Sequence, residues 1–225
     1  QTGGYKNASA YYSVPFGYTD LSLFYSKSKS TQGIDVGIYT FDYVGETEYF
    51  SLKGNRMLYR NVNSKLSASA ELIRRKYDYT LGGTELVLQK RDMGNIRLGL
   101  NYKRNFTGAA LDSTLTWQRF TRAFGGTDTP DMRTGTVSKK SQIVNLNVNY
   151  VKWLTMLPAN AYYELNFGAQ YSPDNLTLQD QFTIGDRWSV RGFQNSDGIY
   201  GNKGFFIQNT LNVVTGFDGI TPYVG

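Results

Sequence analysis

The sequence contains no cysteine and no histidine among its 225 residues. Without thiol or imidazole, an ordinary zinc site, a thiol nucleophile and a Ser-His-Asp triad are all excluded. No disulfide framework can form, so cysteine is silent about redox compartment. No apolar run reaches the about 18 residues a transmembrane helix needs. Gln1 to Val14 lacks the basic start and apolar block of a signal peptide, as expected of a chain that needs no export or is shown without its N-terminus. Proline is scarce, and Pro15, Pro130, Pro158, Pro173 and Pro222 all fall outside the middles of strand-like segments. Gly198, Gly201 and Gly204 do not make a phosphate loop. These absences predict no catalytic residue, no metal, no cofactor and no enzyme activity.

What is present is an unusual pairing. Aromatics make up 15% of the chain, with 18 Tyr and 13 Phe, yet mean hydropathy is −0.43. A water-soluble core rarely combines the two. Apolar residues spread along the whole length exclude disorder. Lys plus Arg total 24 against 18 Asp plus Glu, a net charge of +6. The cations are scattered, with only short groups such as Arg74-Arg75-Lys76 and Lys139-Lys140. Scattered charge of this kind predicts no nucleic-acid partner.

The dominant period is two. Tyr163, Leu165, Phe167, Ala169 and Tyr171 alternate with Glu164, Asn166, Gly168 and Gln170. Val144, Leu146, Val148 and Tyr150 alternate with Asn145, Asn147 and Asn149. Ile96, Leu98, Leu100 and Tyr102 alternate with Arg97, Gly99, Asn101 and Lys103, and Leu66, Ala68, Ala70 and Leu72 with Ser67, Ser69 and Glu71. Each such segment has one apolar and one polar face, as strands do. The pattern predicts strands over 5–14, 20–29, 47–60, 65–77, 86–106, 111–121, 141–152, 161–172 and 203–215, and a further one starting at Thr221. Short turn-like segments at 15–19, 60–64 and 107–110 alternate with polar stretches near 30–46, 78–85, 121–140 and 173–202.

Two all-β architectures fit. In a soluble sandwich the apolar face is the core, and surface aromatics would bind carbohydrate. In an antiparallel transmembrane β-barrel the apolar face meets lipid and the polar face lines a watery lumen. The barrel is favoured by strands of about 10 residues or more, which suffice for a tilted crossing. It is favoured too by polar faces rich in Asn, Gln, Glu, Arg and Lys, and by alternating short and long connections. Aromatics near strand ends, including Tyr11-Tyr12, Tyr59, Tyr77, Trp153, Tyr162-Tyr163 and Phe205-Phe206, fit interfacial girdles. Nine strands and the start of a tenth do not close a single-chain barrel, which normally has an even count. An open edge in lipid would leave backbone groups unpaired. The chain therefore reads as a fragment of a larger barrel.

Residues 181–206 read QFTIGDRWSVRGFQNSDGIYGNKGFF. This stretch resembles the signature of two-partner secretion transporters, the haemolysin-activator and contact-dependent-inhibition exporter type. The family pattern is a Phe, an Ile or Leu, a Gly pair, then Val-Arg-Gly-Phe or Tyr. The matching residues are Phe182, Ile184, Gly185, Val190, Arg191, Gly192 and Phe193, with Asp186 in place of the second Gly. YYSVPFGYTDLSLFYSKS, RMLYRNVNSKLSASAELIRRK and TELVLQKR also resemble family segments, so the likeness covers the whole chain. It implies a barrel of about 16 strands, of which residues 1–225 are a partial transmembrane domain. Missing strands and periplasmic POTRA domains would lie outside that range.

The resemblance further implies that a loop at about 173–202 folds into the lumen and that Arg191 pairs with a wall Asp. The usual Asp would follow Pro222-Tyr223 just past Gly225, so within the chain Glu164 is the candidate carboxylate, with a solvated lumen carboxylate as the alternative. Arg97, Asn101, Lys103, Asn145, Asn147, Asn149, Asn166 and Gln170 would line the lumen, Arg97 and Lys103 giving local selectivity for acidic segments or serving only as solvated lumen charges. The implied protein is a monomer in the lipid of a Gram-negative outer membrane, exporting an unfolded cognate exoprotein without nucleotide hydrolysis. The related barrel-assembly proteins share the Val-Arg-Gly-Phe loop and are the alternative within the superfamily.

Overall fold

The computed structural model describes residues 4–122, 126–154, 160–185, 189, 198–215 and 221–224. Its long strands are β1 (Tyr5–Phe16), β2 (Thr19–Val36), β3 (Tyr39–Arg60) and β4 (Ser64–Leu81), followed by the short β5 (Thr84–Glu85). Then come β6 (Arg91–Phe106), β7 (Ala109–Thr121), β8 (Gln142–Leu154) and β9 (Ala161–Tyr171). A small hairpin, β10 (Phe182–Ile184) with β11 (Ile199–Gly201), precedes β12 (Gly204–Val213) and the two-residue β13 (Tyr223–Val224). The main sheet runs β1-β2-β3-β4-β6-β7-β8-β9-β12-β13, with β5 on β4. Among the described residues this is nine long strands and a stub, each paired with its neighbour in sequence order. The only α-helix among them is one turn, α1 (Pro130–Arg133).

By compactness the chain divides into one unit of Gln1–Arg56, Ser69–Leu98 and Gln118–Gln142, and a second of Met57–Ala68, Gly99–Trp117 and Ile143–Gly225. In the first unit, β1 pairs with β2 from Tyr5↔Ser30 to Phe16↔Thr19, and β2 with β3 from Thr19↔Arg56 to Val36↔Tyr39. In the second, β8 pairs with β9 from Val144↔Tyr171 to Leu154↔Ala161, and β9 with β12 from Gln170↔Gly204 to Ala161↔Val213.

Two expectations need correction. Residues 30–46 are not a loop: β2 and β3 continue to a two-residue turn at Gly37-Ile38. The 18 residues of β2 exceed the about 9–11 that a tilted crossing uses. Apolar alternation continues over the extra length, with Ile34 opposite Phe41 and Val36 opposite Tyr39, but Gly33, Gly37 and Gly45 punctuate it and give it the look of a connection. Conversely, Val87–Gln89 is a 3-10 turn and β6 starts only at Arg91. Between β4 and β5, Gly82 and Gly83 both have positive φ, of 55° and 82°. That is the backbone of the tight hairpin turn whose twist suits the flanking strands.

The burial pattern is inverted relative to a soluble sheet. On β12, Phe205, Ile207 and Leu211 are 66%, 52% and 36% exposed, while Thr210 and Asn212 are only 5% and 8% exposed. On β2, Leu21, Leu23 and Tyr25 are exposed and the intervening Ser22 and Phe24 are not. A face that exposes Leu, Ile and Phe in rows would be a large apolar patch in water and is the ordinary outer surface in lipid.

This inversion yields a direct test. Ile207→Lys, on the exposed apolar face, should destabilise the assembled protein by about 2–4 kcal/mol, whereas Gln208→Lys next to it should cost under about 1 kcal/mol. Urea unfolding in lipid vesicles, followed by the heat-dependent gel shift of folded barrels, measures both. Equal costs would contradict the assignment of faces.

Candidate functional site: the polar face and the loop laid on it

In the first unit the polar face carries a connected network across β3, β4, β6 and β7. Ser51 donates through its hydroxyl to Glu71 Oε1. Arg97 Nη1 donates to Glu71 Oε2 at 3.2 Å, and Arg97 Nε and Nη2 donate to Gln118 Oε1 at 3.1 and 2.7 Å. Glu71 is largely buried and Arg97 is half exposed. A carboxylate so enclosed needs its cation and donors, because burial without them is costly. Alternation explains the meeting, since residues of one parity on each strand share this face.

At the end of the same face, the β7–β8 connection folds onto the strands. Met132 of α1 and Val137 pack with Met93 of β6 and Phe120 of β7, beside Tyr77 of β4. Arg91 forms an ion pair with Asp131 and donates to Leu88 O at 2.7 Å. Thr127 N–H donates to Asp92 O and Phe120 N–H to Ser141 O. The connection is thus held by a small apolar core as well as by polar ties.

In the second unit the β9–β12 connection does the same. Gln170, on the polar parity of β9, donates Nε2–H to Asp180 O at 2.9 Å. Phe182 of β10 stacks on Phe206 of β12, with ring centroids 6.1 Å apart and planes 19° apart. Phe206 shares its parity with Gln208, Thr210 and Asn212, so β10 lies over the polar face. The Phe206 ring in turn covers Gly168, where an added Cβ would fall 2.5 Å from a ring carbon. Ser172, Leu176 and Thr177 are buried, and Asn202 Oδ1 accepts from Leu176 N–H. Gly185 N–H donates to the buried Ser189 hydroxyl at 3.0 Å.

The residues singled out in the sequence distribute as follows. Asn145 faces Gln170 and Asn149 faces Asn166 in the β8–β9 register, with Asn147 opposite Gly168. Asn101 donates to Asp112 Oδ1 at 2.7 Å and to Thr114 Oγ1 at 2.8 Å, and Lys103 meets Asp112 Oδ2 at 2.7 Å. Both Arg97 and Lys103 are therefore already paired with carboxylates on their own wall. Glu164 sits opposite Thr210 and Val151 and forms no ion pair among the described residues. Asp186, Val190, Arg191, Gly192 and Phe193 lie outside the described residues. Four aromatics read as girdle residues belong elsewhere: Phe206 is the platform for β10, Tyr77 packs beside the Met93 cluster, and Trp153 packs on Tyr162 at the polar parity, centroids 5.1 Å apart.

Sequence reading missed Glu71, Gln118 and Asp112 as partners, and Phe182 with Phe206 as the contact that seats the loop. Parity already placed Glu71 and Arg97 on polar faces of strands adjacent in the sheet. The absent ingredient was register, which alternation within one strand does not supply.

A meander whose apolar residues point outward, and whose polar face is tied by hydrogen bonds and covered by its own connections, is the wall of a transmembrane β-barrel. Comparison with known proteins narrows this class. Residues 1–225 match the family described as haemolysin secretion/activation protein ShlB/FhaC/HecB, and the chain belongs to that family. The outer membrane transporter CdiB-2 of Burkholderia pseudomallei strain 1026b is 28% identical over 217 residues, covering 96% of this chain and 37% of that protein. The hemolysin transporter protein HpmB of Proteus mirabilis is 23% identical over 217 residues, covering 95% of this chain and 38% of that protein. The structure of CdiB from Escherichia coli superposes with a TM-score of 0.81 at 25% identity, over 93% of this chain and 38% of that one. The chain spans little more than a third of the length of these relatives. Fold and family place it in the outer membrane of a Gram-negative cell.

The Glu71–Arg97 pair can be tested by a cycle. Glu71→Ala leaves Arg97 and Ser51 without their carboxylate and should cost about 1–3 kcal/mol of stability. Adding Arg97→Met should recover part of that loss, giving a coupling of about 0.5–3 kcal/mol in urea unfolding. Strict additivity would show that the contact does not matter.

Proposed function

We propose that this chain is part of an outer-membrane pore that carries an unfolded cognate exoprotein from the periplasm to the cell surface without nucleotide hydrolysis. The observation that carries the reading is the connection between β9 and β12, laid on the polar face through Gln170–Asp180 and Phe182–Phe206. A lumen occupied by its own loop is closed at rest and opens by moving that loop. Relatives named as CdiB and haemolysin transporters make a contact-dependent-inhibition toxin or a haemolysin the natural cargo classes, with an adhesin the third.

The wall chemistry suits such traffic. Amides of Asn145, Asn147, Asn149 and Asn166 exchange hydrogen bonds with a passing backbone without holding it by burial. Arg97 and Lys103, each already beside a carboxylate, add little net charge that would trap acidic segments. Nothing in this scheme requires bond-making chemistry, a metal or a cofactor, and one chain suffices as a monomer in lipid. Residues 1–225 would then be a partial barrel domain, with the inward loop at about 173–202, belonging to a barrel of about 16 strands with periplasmic POTRA domains.

The loop's latch is assigned to Arg191. A guanidinium in a confined lumen forms charge-assisted, bidentate bonds to a carboxylate, and Gly192, next to Arg191 in sequence, is the residue type that best tolerates a tight turn. Glu164, on the strand leading into the loop and with no ion pair among the described residues, is the carboxylate offered within this chain. Arg191→Ala in the full-length protein should lower the amount of passenger in the medium while the heat-modifiable barrel band persists. If Glu164 is the partner, Glu164→Gln should show the same defect and the double variant should be no worse than either single. Normal export by assembled Arg191→Ala would overturn the latch.

A further inference from the structure

A groove of about 390 Å³ opens on the first unit, lined by Tyr25, Glu48, Phe50, Arg74 and Lys76. It lies on the apolar face, not the polar one. In the β2–β3 register Leu23 faces Leu52 and Tyr25 faces Phe50, then Lys27 faces Glu48 and Lys29 faces Glu46, all on one parity. The face is thus apolar toward the short Gly17-Tyr18 turn and charged toward the long connections, and Tyr25 and Phe50 mark the change. In outer-membrane barrels the long connections are extracellular and aromatics mark the interface. The groove therefore sits at the level of the outer-leaflet headgroups.

The charges there do not cancel. Lys27 is 2.9 Å from Glu48, Lys29 is 2.8 Å from Glu46, and Arg74 donates Nε–H and Nη2–H to Asp92 at 3.0 and 2.9 Å. Lys6, directly opposite Lys29, and Lys76 form no ion pair among the described residues. Further along the same parity of β4, Asp78 and the neighbouring Glu85 hold Lys90 at 3.3 and 2.6 Å, so six cations stand against five carboxylates and the excess rests on Lys6 and Lys76. The Glu46 carboxylate is shared, with Lys29 at 2.8 Å and Lys27 at 3.9 Å.

We propose that the groove binds the phosphorylated headgroup of an outer-leaflet lipid. Its phosphate lies between Arg74 and Lys76, and its first acyl carbons lie against the rings of Tyr25 and Phe50. Charge complementarity selects the occupant: the groove offers excess cation at headgroup depth above an aromatic floor, and a phosphorylated amphiphile supplies both parts. The site uses the outward face and does not depend on the export reading or on the loop in the lumen.

The test uses the full-length protein in detergent and three probes: lipopolysaccharide, the same lipid with its phosphates removed, and inorganic phosphate. Affinities are read by native mass spectrometry and thermophoresis. Lys76→Gln should weaken lipopolysaccharide binding roughly fivefold, and Arg74→Gln with Lys76→Gln more than that, since each cation at a membrane surface contributes at about that level. The dephosphorylated lipid should bind the unaltered protein no better than intact lipid binds the double variant. Equal affinity for the two lipids would reduce the groove to ordinary annular contact and overturn the proposal, as would unchanged affinity in Lys76→Gln. Inorganic phosphate binding as tightly as the lipid would assign a soluble anion and overturn it as well. If the Arg74 variant fails to assemble, Lys76→Gln alone decides, because Lys76 holds no ion pair on which folding could depend.

Discussion

Within a bilayer no water is available to satisfy an exposed peptide group, so every N–H and C=O must find a partner in the protein. This chain meets that demand with a meander in which each long strand is paired with its sequence neighbours. Everything else follows from strands that are paired edge to edge and wetted on only one face. Side chains then alternate between lipid and polar environments, the large apolar residues become the exposed ones, and the buried residues include Ser51, Thr210 and Asn212. Even the polar exception on the apolar parity obeys the rule, for Asn209 on β12 is met by the hydroxyl of Tyr163 on β9.

A polar wall raises a second problem, since charges facing a narrow space must be compensated or they dominate it. Here compensation is local. Arg97 is matched by Glu71 and Gln118, and Lys103 by Asp112 and its neighbour Asn101. The connections then complete the surface, each by a mixture of apolar and polar ties: Met132 and Val137 against Met93 and Phe120 in one unit, Phe182 against Phe206 in the other. Such contacts are small enough to break and re-form. That is a property the proposed export function needs of a loop, and a fully packed core would not allow it.

Much of this was legible in the residues. Period-two alternation placed nine strands and the stub, because one-sided wetting writes itself into every second residue. It failed where punctuation outweighed it. Residues 30–46 contain Gly33, Gly37, Gly45, Asp35 and Asp42 and so read as a connection, although Ile34 and Val36 still alternate opposite Phe41 and Tyr39 along paired strand. At Val87–Gln89 an apolar run read as strand is a tight turn, since three residues carry no usable period. Of the site, parity put Asn145, Asn149, Asn166 and Gln170 on polar faces, and the β8–β9 register sets Asn145 opposite Gln170 and Asn149 opposite Asn166. Parity could not say that Arg97 meets Glu71, because contact across strands depends on register, and register is set by turn lengths and sheet pairing.

The same argument explains the two edges of the apolar band. Toward the short turns the strands end almost at once, with Gly17-Tyr18 and Gly108 closing hairpins in two residues. Toward the long connections the strands continue, and their outward residues change from Leu21, Leu23 and Tyr25 to Lys27 and Lys29 within two turns of the pleat. A lysine at that depth keeps its stem along the sheet and its ammonium in the polar layer. Glu46 and Glu48 opposite these lysines neutralise two charges, and Arg74 is neutralised by Asp92. A wall designed only to be neutral would stop there. Lys76 and Lys6 leave it cationic where phosphate is the abundant counter-charge, so the membrane itself completes the ion pairing that the strands begin.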